Sequence, residues 1–278
     1  MGNETKNLIL ILLVLALFTG MAVEISEGST VVGVVLFLVS VFLLTRIDFK
    51  NLGDSGLLKK SKTCFVVGAF IVAADLAYNF KNGGELGTLD VMTVFFGASL
   101  VGTQLQNPQI NRVSRFGAYI SSVFVILYLI FYTMFAFFNI DFLHKFDHYF
   151  ILLPTVGVLN LAGIPLEVVA TETVRISGVE EMTLVIGGPC SGLYSMFLLI
   201  GIVFGYSRIE NLNKNKTLMM LGFCVLVAYI SNLFRVVVLY FTAYMYGQEA
   251  MMLVHTHLGW IIFAVVAAFI MYLIELKS

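Results

Sequence analysis

The sequence predicts an all-α polytopic membrane protein of about eight transmembrane helices, with a short β-like hairpin in the long outer loop before the sixth span. Three observations carry this prediction. Apolar residues make up 59% of the chain, charged ones 12%, and mean hydropathy is +0.96. A soluble domain has roughly 45–50% apolar and about 25% charged residues. The apolar residues also fall in continuous runs, which suit helices and not the alternating strands of a barrel. Finally, basic residues concentrate in every second loop.

A helix needs about 20 mostly apolar residues to cross a bilayer. The runs that qualify are roughly 7–24, 29–46, 63–80, 88–105, 116–138, 189–206, 217–240 and 255–275. The first, Leu8–Val23, is followed by no convincing small-residue cleavage site, so it is expected to be a retained helix and not a signal peptide. Arg46, Lys50, Lys59, Lys60 and Lys62 lie in one loop, Arg112 and Arg115 in another, and Arg208, Lys214 and Lys216 in a third. The positive-inside rule puts these loops, and both termini, in the cytoplasm of a multi-pass cell-membrane protein. Loops 25–28, 81–87, 139–188 and 241–254 then face outside. The sequons at Asn3 and Asn215 fall on the inner side and carry no weight. This organisation is one integral membrane domain with two regions. Residues 1–138 form an N-terminal five-helix region, and 139–278 form the outer loop plus a three-helix region that holds the chemistry.

The outer loop has two parts. Tyr149–Pro165 is apolar but carries Pro154, Gly157 and Asn160. A ninth span there would break the charge alternation, so a helix lying in or dipping into the outer leaflet is expected. Leu166–Ile176 and Met182–Ile186 are rich in β-branched residues and flank Gly178, as a surface hairpin would. The hairpin ends at Gly187-Gly188-Pro189, directly before the sixth span.

A net charge of -1 supplies no basic field for nucleic acid. The three cysteines show no disulfide or zinc spacing, and neither a metal nor a cofactor is expected. Cys64 and Cys224 read as small buried apolar residues. Cys190 differs, because Pro189-Cys190-Ser191-Gly192 opens the sixth span. A helix N-terminus there favours a thiolate. The seventh span carries Asn232 and Arg235 one turn apart. An arginine at the centre of an apolar helix costs about 2.5–3.5 kcal/mol, so it faces the bundle or an interface. From Thr217, Arg235 lies about 27 Å along the helix, close to the outer boundary. The eighth span opens with His255, Thr256, His257, Leu258, Gly259 and Trp260, also at the outer face. A cysteine, an arginine and a histidine from three successive spans thus share one face: a nucleophile, a charge stabiliser and a proton carrier. Asp75 and Asp90 are weaker signals that fit ion pairs or a cavity lining.

At these residues the chain resembles the exosortase/archaeosortase family, membrane-embedded cysteine transpeptidases. The matching elements are Cys190-Ser191-Gly192, Asn232-Leu233-Phe234-Arg235 and His255-Thr256-His257-Leu258-Gly259, over about the last 130 residues. The resemblance implies an enzyme that cleaves C-terminal sorting signals (a motif, a transmembrane span and a basic tail) of exported proteins through a cysteine thioester. It implies transfer of the new C-terminus to a lipid or other envelope acceptor. Cys190, Arg235 and His255 become the catalytic residues, with Ser191, Gly192, Asn232, His257 and Gly259 in support. His257 is a second imidazole, and only its spacing to Gly259 favours His255. Some archaeal members carry Arg at this third position, and this chain does not. The competing class is a polytopic small-molecule transporter, disfavoured by the lack of an internal repeat or paired broken helices. A structural assembly protein and a hydrolytic intramembrane protease complete the alternatives.

Overall fold

The computed structural model describes residues 30–44, 62–82, 87–106, 108–186, 191–209 and 212–276, with a few positions between 10 and 17. The expected first span therefore lies largely outside the described residues, as do Gly187, Gly188, Pro189 and Cys190. The second to fifth apolar runs become α1 Thr30–Leu44, α2 Lys62–Asn82, α3 Thr88–Gly102 and α4 Pro108–Tyr128. A π-helical stretch, Leu129–Met134, carries α4 on to Phe137. Next come α5 Phe142–Phe146, a π-helical stretch Asp147–Leu152, and α6 Leu153–Leu161. Strands β1 Leu166–Ala170, β2 Thr173–Ser177 and β3 Glu181–Val185 precede α7 Leu193–Ile209 and α8 Lys214–Leu276. Among the described residues, Lys62–Lys81, Val113–Phe137 and Lys214–Ile270 are long and apolar enough to cross a membrane, and Thr88–Gly102 and Leu193–Ile209 are shorter apolar helices.

The chain forms two compact units. One holds residues 49–139 and 194–225. Its helices approach closely through small residues, the usual device where lipid supplies no hydrophobic drive between helices. Gly68 of α2 faces Gly97 of α3, and Gly201 of α7 lies against the backbone of Ile120 in α4. Aromatic contacts fill the rest: Phe124 meets Phe197 edge-on, and Tyr128 stacks on both Tyr132 and Tyr194.

The other unit holds residues 1–48, 140–193 and 226–278. Its sheet departs from the expected hairpin. It is a three-stranded antiparallel meander in the order β1-β2-β3. The segment Leu166–Ile176 folds back on itself at Thr171-Glu172, so Leu166 pairs with Ile176 and Glu167 with Arg175. Alternation explains why. Leu166, Val174 and Ile176 are buried, while Glu167 and Arg175 form an exposed cross-strand pair at 3.4 Å. The buried side joins Ile151, Leu152, Val156 and Leu159 of the preceding helix, and Val236, Leu239, Tyr240 and Ala243 of α8.

Pro154 does not end the α5–α6 run. It sits in the first turn of α6, straight after the π-helical stretch. The wider turn relieves the clash between a proline ring and the carbonyl one turn back. Asn160 has a role beyond interrupting an apolar run: its Oδ1 accepts from the Leu166 N–H at 2.9 Å and fastens α6 to β1.

The largest correction concerns residues 241–254, expected as an outer loop between two spans. They are helical throughout, apart from Gly247 at φ 83° and ψ -175°. The stretch holds no proline, and Tyr240, Ala243 and Met251 are buried in the core of this unit, so tertiary packing extends both helices to a one-residue corner. Arg235 and Gly259 each lie twelve residues from Gly247, and they touch. Within this unit the two arms, 226–246 and 248–276, therefore fold back as an antiparallel helical hairpin.

Candidate active site

The three sequence elements that the family resemblance singles out converge within the second unit. The regular helix of α7 starts at Leu193, later than the expected 189, because Gly192 takes φ +78°. An L-residue there strains by roughly 1–2 kcal/mol, which is why glycine suits the position. Ser191 is buried, and its Oγ accepts from the Leu193 N–H at 3.4 Å. Its carbonyl accepts from Asn232 Nδ2 at 2.9 Å. A Cβ on Gly192 would lie 2.6 Å from both amide heteroatoms of Asn232. Asn232 is itself buried, so this contact joins two elements 41 residues apart.

One turn along α8, Arg235 is half-buried with its Nε enclosed. Its guanidinium lies against Gly259 of the facing arm. A Cβ there would stand 3.0 Å from Nη2 and 3.1 Å from Cζ. Glycine thus opens the space the guanidinium occupies. At 3.6 residues per turn, His255 is about 40° around the helix from Gly259 and one turn, about 6 Å, nearer the corner. His257 is about 160° away, on the opposite side. Both imidazoles are half-buried.

Two groups of residues in this unit were missed by sequence reasoning. The β2–β3 turn caps both ends of the corner. The Val179 N–H donates to the Tyr244 carbonyl at 3.0 Å, and Glu180 Oε2 accepts from the Gln248 N–H at 3.0 Å. A carboxylate on the first N–H groups of a helix satisfies an orphan donor and opposes the helix dipole. The available signal was Gly247, the sole glycine in a long run of helix formers. The second group ties the β1–β2 turn to α5 and the π-helical stretch after it. His144 Nδ1 meets Glu172 Oε1 at 2.5 Å, and His148 Nδ1 meets the Thr171 carbonyl at 2.6 Å. The hydrogen bond and charge of Glu172 raise the His144 pKa. Burial, with Glu172 nearby, pushes the Asp147 carboxyl up to about 7.

The remaining sequence candidates find structural places. Cys64 is half-exposed on α2 and Cys224 fully buried on α8, both in the first unit. Asp90 accepts from the Gly87 N–H at 2.8 Å and caps α3. Asp75 accepts from Asn79 Nδ2 at 3.4 Å, one turn along α2.

A family model described as transmembrane exosortase matches residues 31–272. That range takes in every residue of the constellation just described. No match was found among the curated proteins or the solved structures. The match spans most of the chain, and so the chain belongs to the transmembrane exosortase family, membrane-embedded transpeptidases that act on the C-terminal sorting signals of exported proteins.

Proposed function

We propose that this chain cleaves the sorting signal through a thioester on Cys190 and passes the new C-terminus to a lipid or other envelope acceptor. His255 takes the proton from the Cys190 thiol, and the thiolate attacks the scissile carbonyl carbon. The tetrahedral oxyanion is stabilised by the Arg235 guanidinium and by backbone N–H groups near Ser191. His255 then gives its proton to the departing amine, the C–N bond breaks, and a thioester is left on Cys190. An acceptor amine, losing its proton to His255, attacks the thioester and frees the thiol; water in its place would give hydrolysis. General acid–base help contributes typically about 10²–10⁴ in rate, and one oxyanion donor about 10²–10³.

The observation that carries this reading is the meeting of the three family elements: Asn232 on the Ser191 carbonyl, and Arg235 on Gly259. Peptide geometry keeps the Cα of Cys190 within about 3.8 Å of that of Ser191. Ile186, on the other side of the segment, is buried with Val236, Leu239 and Tyr240, further toward the corner than Asn232. His255 is preferred to His257 because it shares the helix face of Gly259. In this reading eight spans leave both termini in the cytoplasm and put the site at the outer face. Residues 1–138 serve as the membrane scaffold and 139–278 carry the catalyst, with Gly192, Asn232 and Gly259 as positioning residues.

Coexpression with a protein bearing a C-terminal sorting signal tests the proposal. Processing is expected with wild type and with His257→Ala, and not with Cys190→Ala or His255→Ala. Undiminished processing by Cys190→Ala would refute the thioester mechanism, and loss in His257→Ala with retention in His255→Ala would reassign the base.

A further inference from the structure

The far end of α7 carries a feature the proposed chemistry does not use. A cavity of roughly 320 Å³ opens between the last turn of α7 and the first turns of α8. Arg208 lies fifteen residues beyond Leu193, about 22 Å along the helix. The cavity lies wholly within the first unit. Arg208 and Lys214 line it, both exposed, and no acidic side chain is among its described lining residues. The Arg208 guanidinium stands 5.0 Å over the ring of Phe204, which holds it in place with its N–H groups free to turn to a ligand. The Ser207 hydroxyl donates to the Phe204 carbonyl and that of Thr217 to the Asn213 carbonyl. Their donors are spent within the protein, so the two cations are the anion-binding side chains of the cavity.

The rest of the lining is apolar, and it leads outward. Leu218 is 72% exposed at the cavity rim, and the neighbouring Met219 is 57% exposed on the same membrane-length helix. Exposed apolar residues on such a helix meet lipid, and cations at its end stand at headgroup level. The ligand that fits both halves has a phosphate joined to an acyl chain. A free phosphate would leave the apolar half unused. A zwitterionic phospholipid would bring its own ammonium group up to a second cation.

We propose that this cavity binds one anionic glycerophospholipid, its phosphate between Arg208 and Lys214 and its acyl chain along Phe204 and Leu218. The site is independent of the cysteine chemistry and is tested without it. Full-length protein in neutral detergent is titrated with phosphatidylglycerol, with phosphatidylcholine of the same chains, and with glycerol phosphate. Lipid retained is counted by native mass spectrometry, and the melting temperature is followed in parallel. Phosphatidylglycerol is expected to bind about tenfold or more tighter than phosphatidylcholine, as two surface cations allow. Glycerol phosphate at equal concentration should produce no shift. The double variant Arg208→Gln, Lys214→Gln should lose the preference, and Lys145→Gln, a control cation on α5, should keep it. Equal binding of the two lipids by wild type overturns the proposal, and that comparison needs no variant to fold. A preference that survives in the double variant overturns the assignment to this cavity, and an equal response to glycerol phosphate overturns the lipid as ligand.

Discussion

Gly192→Ala probes the junction on which the candidate site depends. Gly192 sits at φ +78°, where an L-residue costs roughly 1–2 kcal/mol. The added Cβ would also stand 2.6 Å from the Asn232 amide nitrogen and oxygen, so the amide must move off the Ser191 carbonyl. Losing that hydrogen bond at a buried acceptor costs about 1–3 kcal/mol. The expected destabilisation is therefore about 2–5 kcal/mol, measured by reversible unfolding of purified protein in mixed detergent micelles. A double-mutant cycle separates the two causes. Asn232→Ala alone should cost about 1–3 kcal/mol, and adding Gly192→Ala to it should cost only the backbone strain. The two substitutions should thus be less than additive by about 1–3 kcal/mol, the cost of the shared hydrogen bond. Strict additivity, or a Gly192→Ala protein within about 0.5 kcal/mol of wild type, would refute the argument from close contact.

Two further outcomes follow from the second unit. Glu180→Ala removes the acceptor from the Gln248 N–H and should cost about 0.5–2 kcal/mol, while Glu180→Gln, which keeps an amide oxygen, should cost less. Hydrogen exchange at the start of the 248–276 arm is the check; unchanged exchange in Glu180→Ala would exclude the cap. The α5–sheet junction should lose stability as pH rises. Asp147 goes from 3.8 unfolded to about 7 folded, and the folded His144 pKa lies above 6.5 because of Glu172, helped by Asp141 and Asp147. In both cases the folded state holds the proton more tightly, so the stabilisation is complete below the unfolded pKa and lost as pH passes the folded one. Protection of the β1–β2 turn should fall as pH rises from about 4 through about 7, with a flatter slope in Asp147→Asn. A rise over that range would contradict the burial argument.

Composition and hydropathy are properties of short stretches, and they announced the membrane class and where α1 to α4 would run. The alternation of Leu166–Ile176 likewise announced β structure, because side chains on a strand change face at every residue. The family elements at Ser191, Asn232 and Gly259 were legible as residue types at fixed spacings. What local pattern could not supply was the partner of each element. The meander in place of a hairpin depends on Glu167 facing Arg175 across a turn with no glycine or proline to mark it. The helical course of 241–254 depends on Tyr240, Ala243 and Met251 being covered by the sheet, and the cap on its corner on a carboxylate 68 residues away.

Composition alone puts this chain in a bilayer, since no arrangement in water could cover so much apolar surface. Residues whose chemistry is unusual in lipid mark the family it joins. It took the folded chain to show that Asn232 holds the Ser191 carbonyl and that Arg235 lies on Gly259. The reason is physical: the antiparallel return at Gly247 sets which residues of the two arms stand level. A single positive φ, held by a distant turn, leaves almost no trace in hydrophobic periodicity.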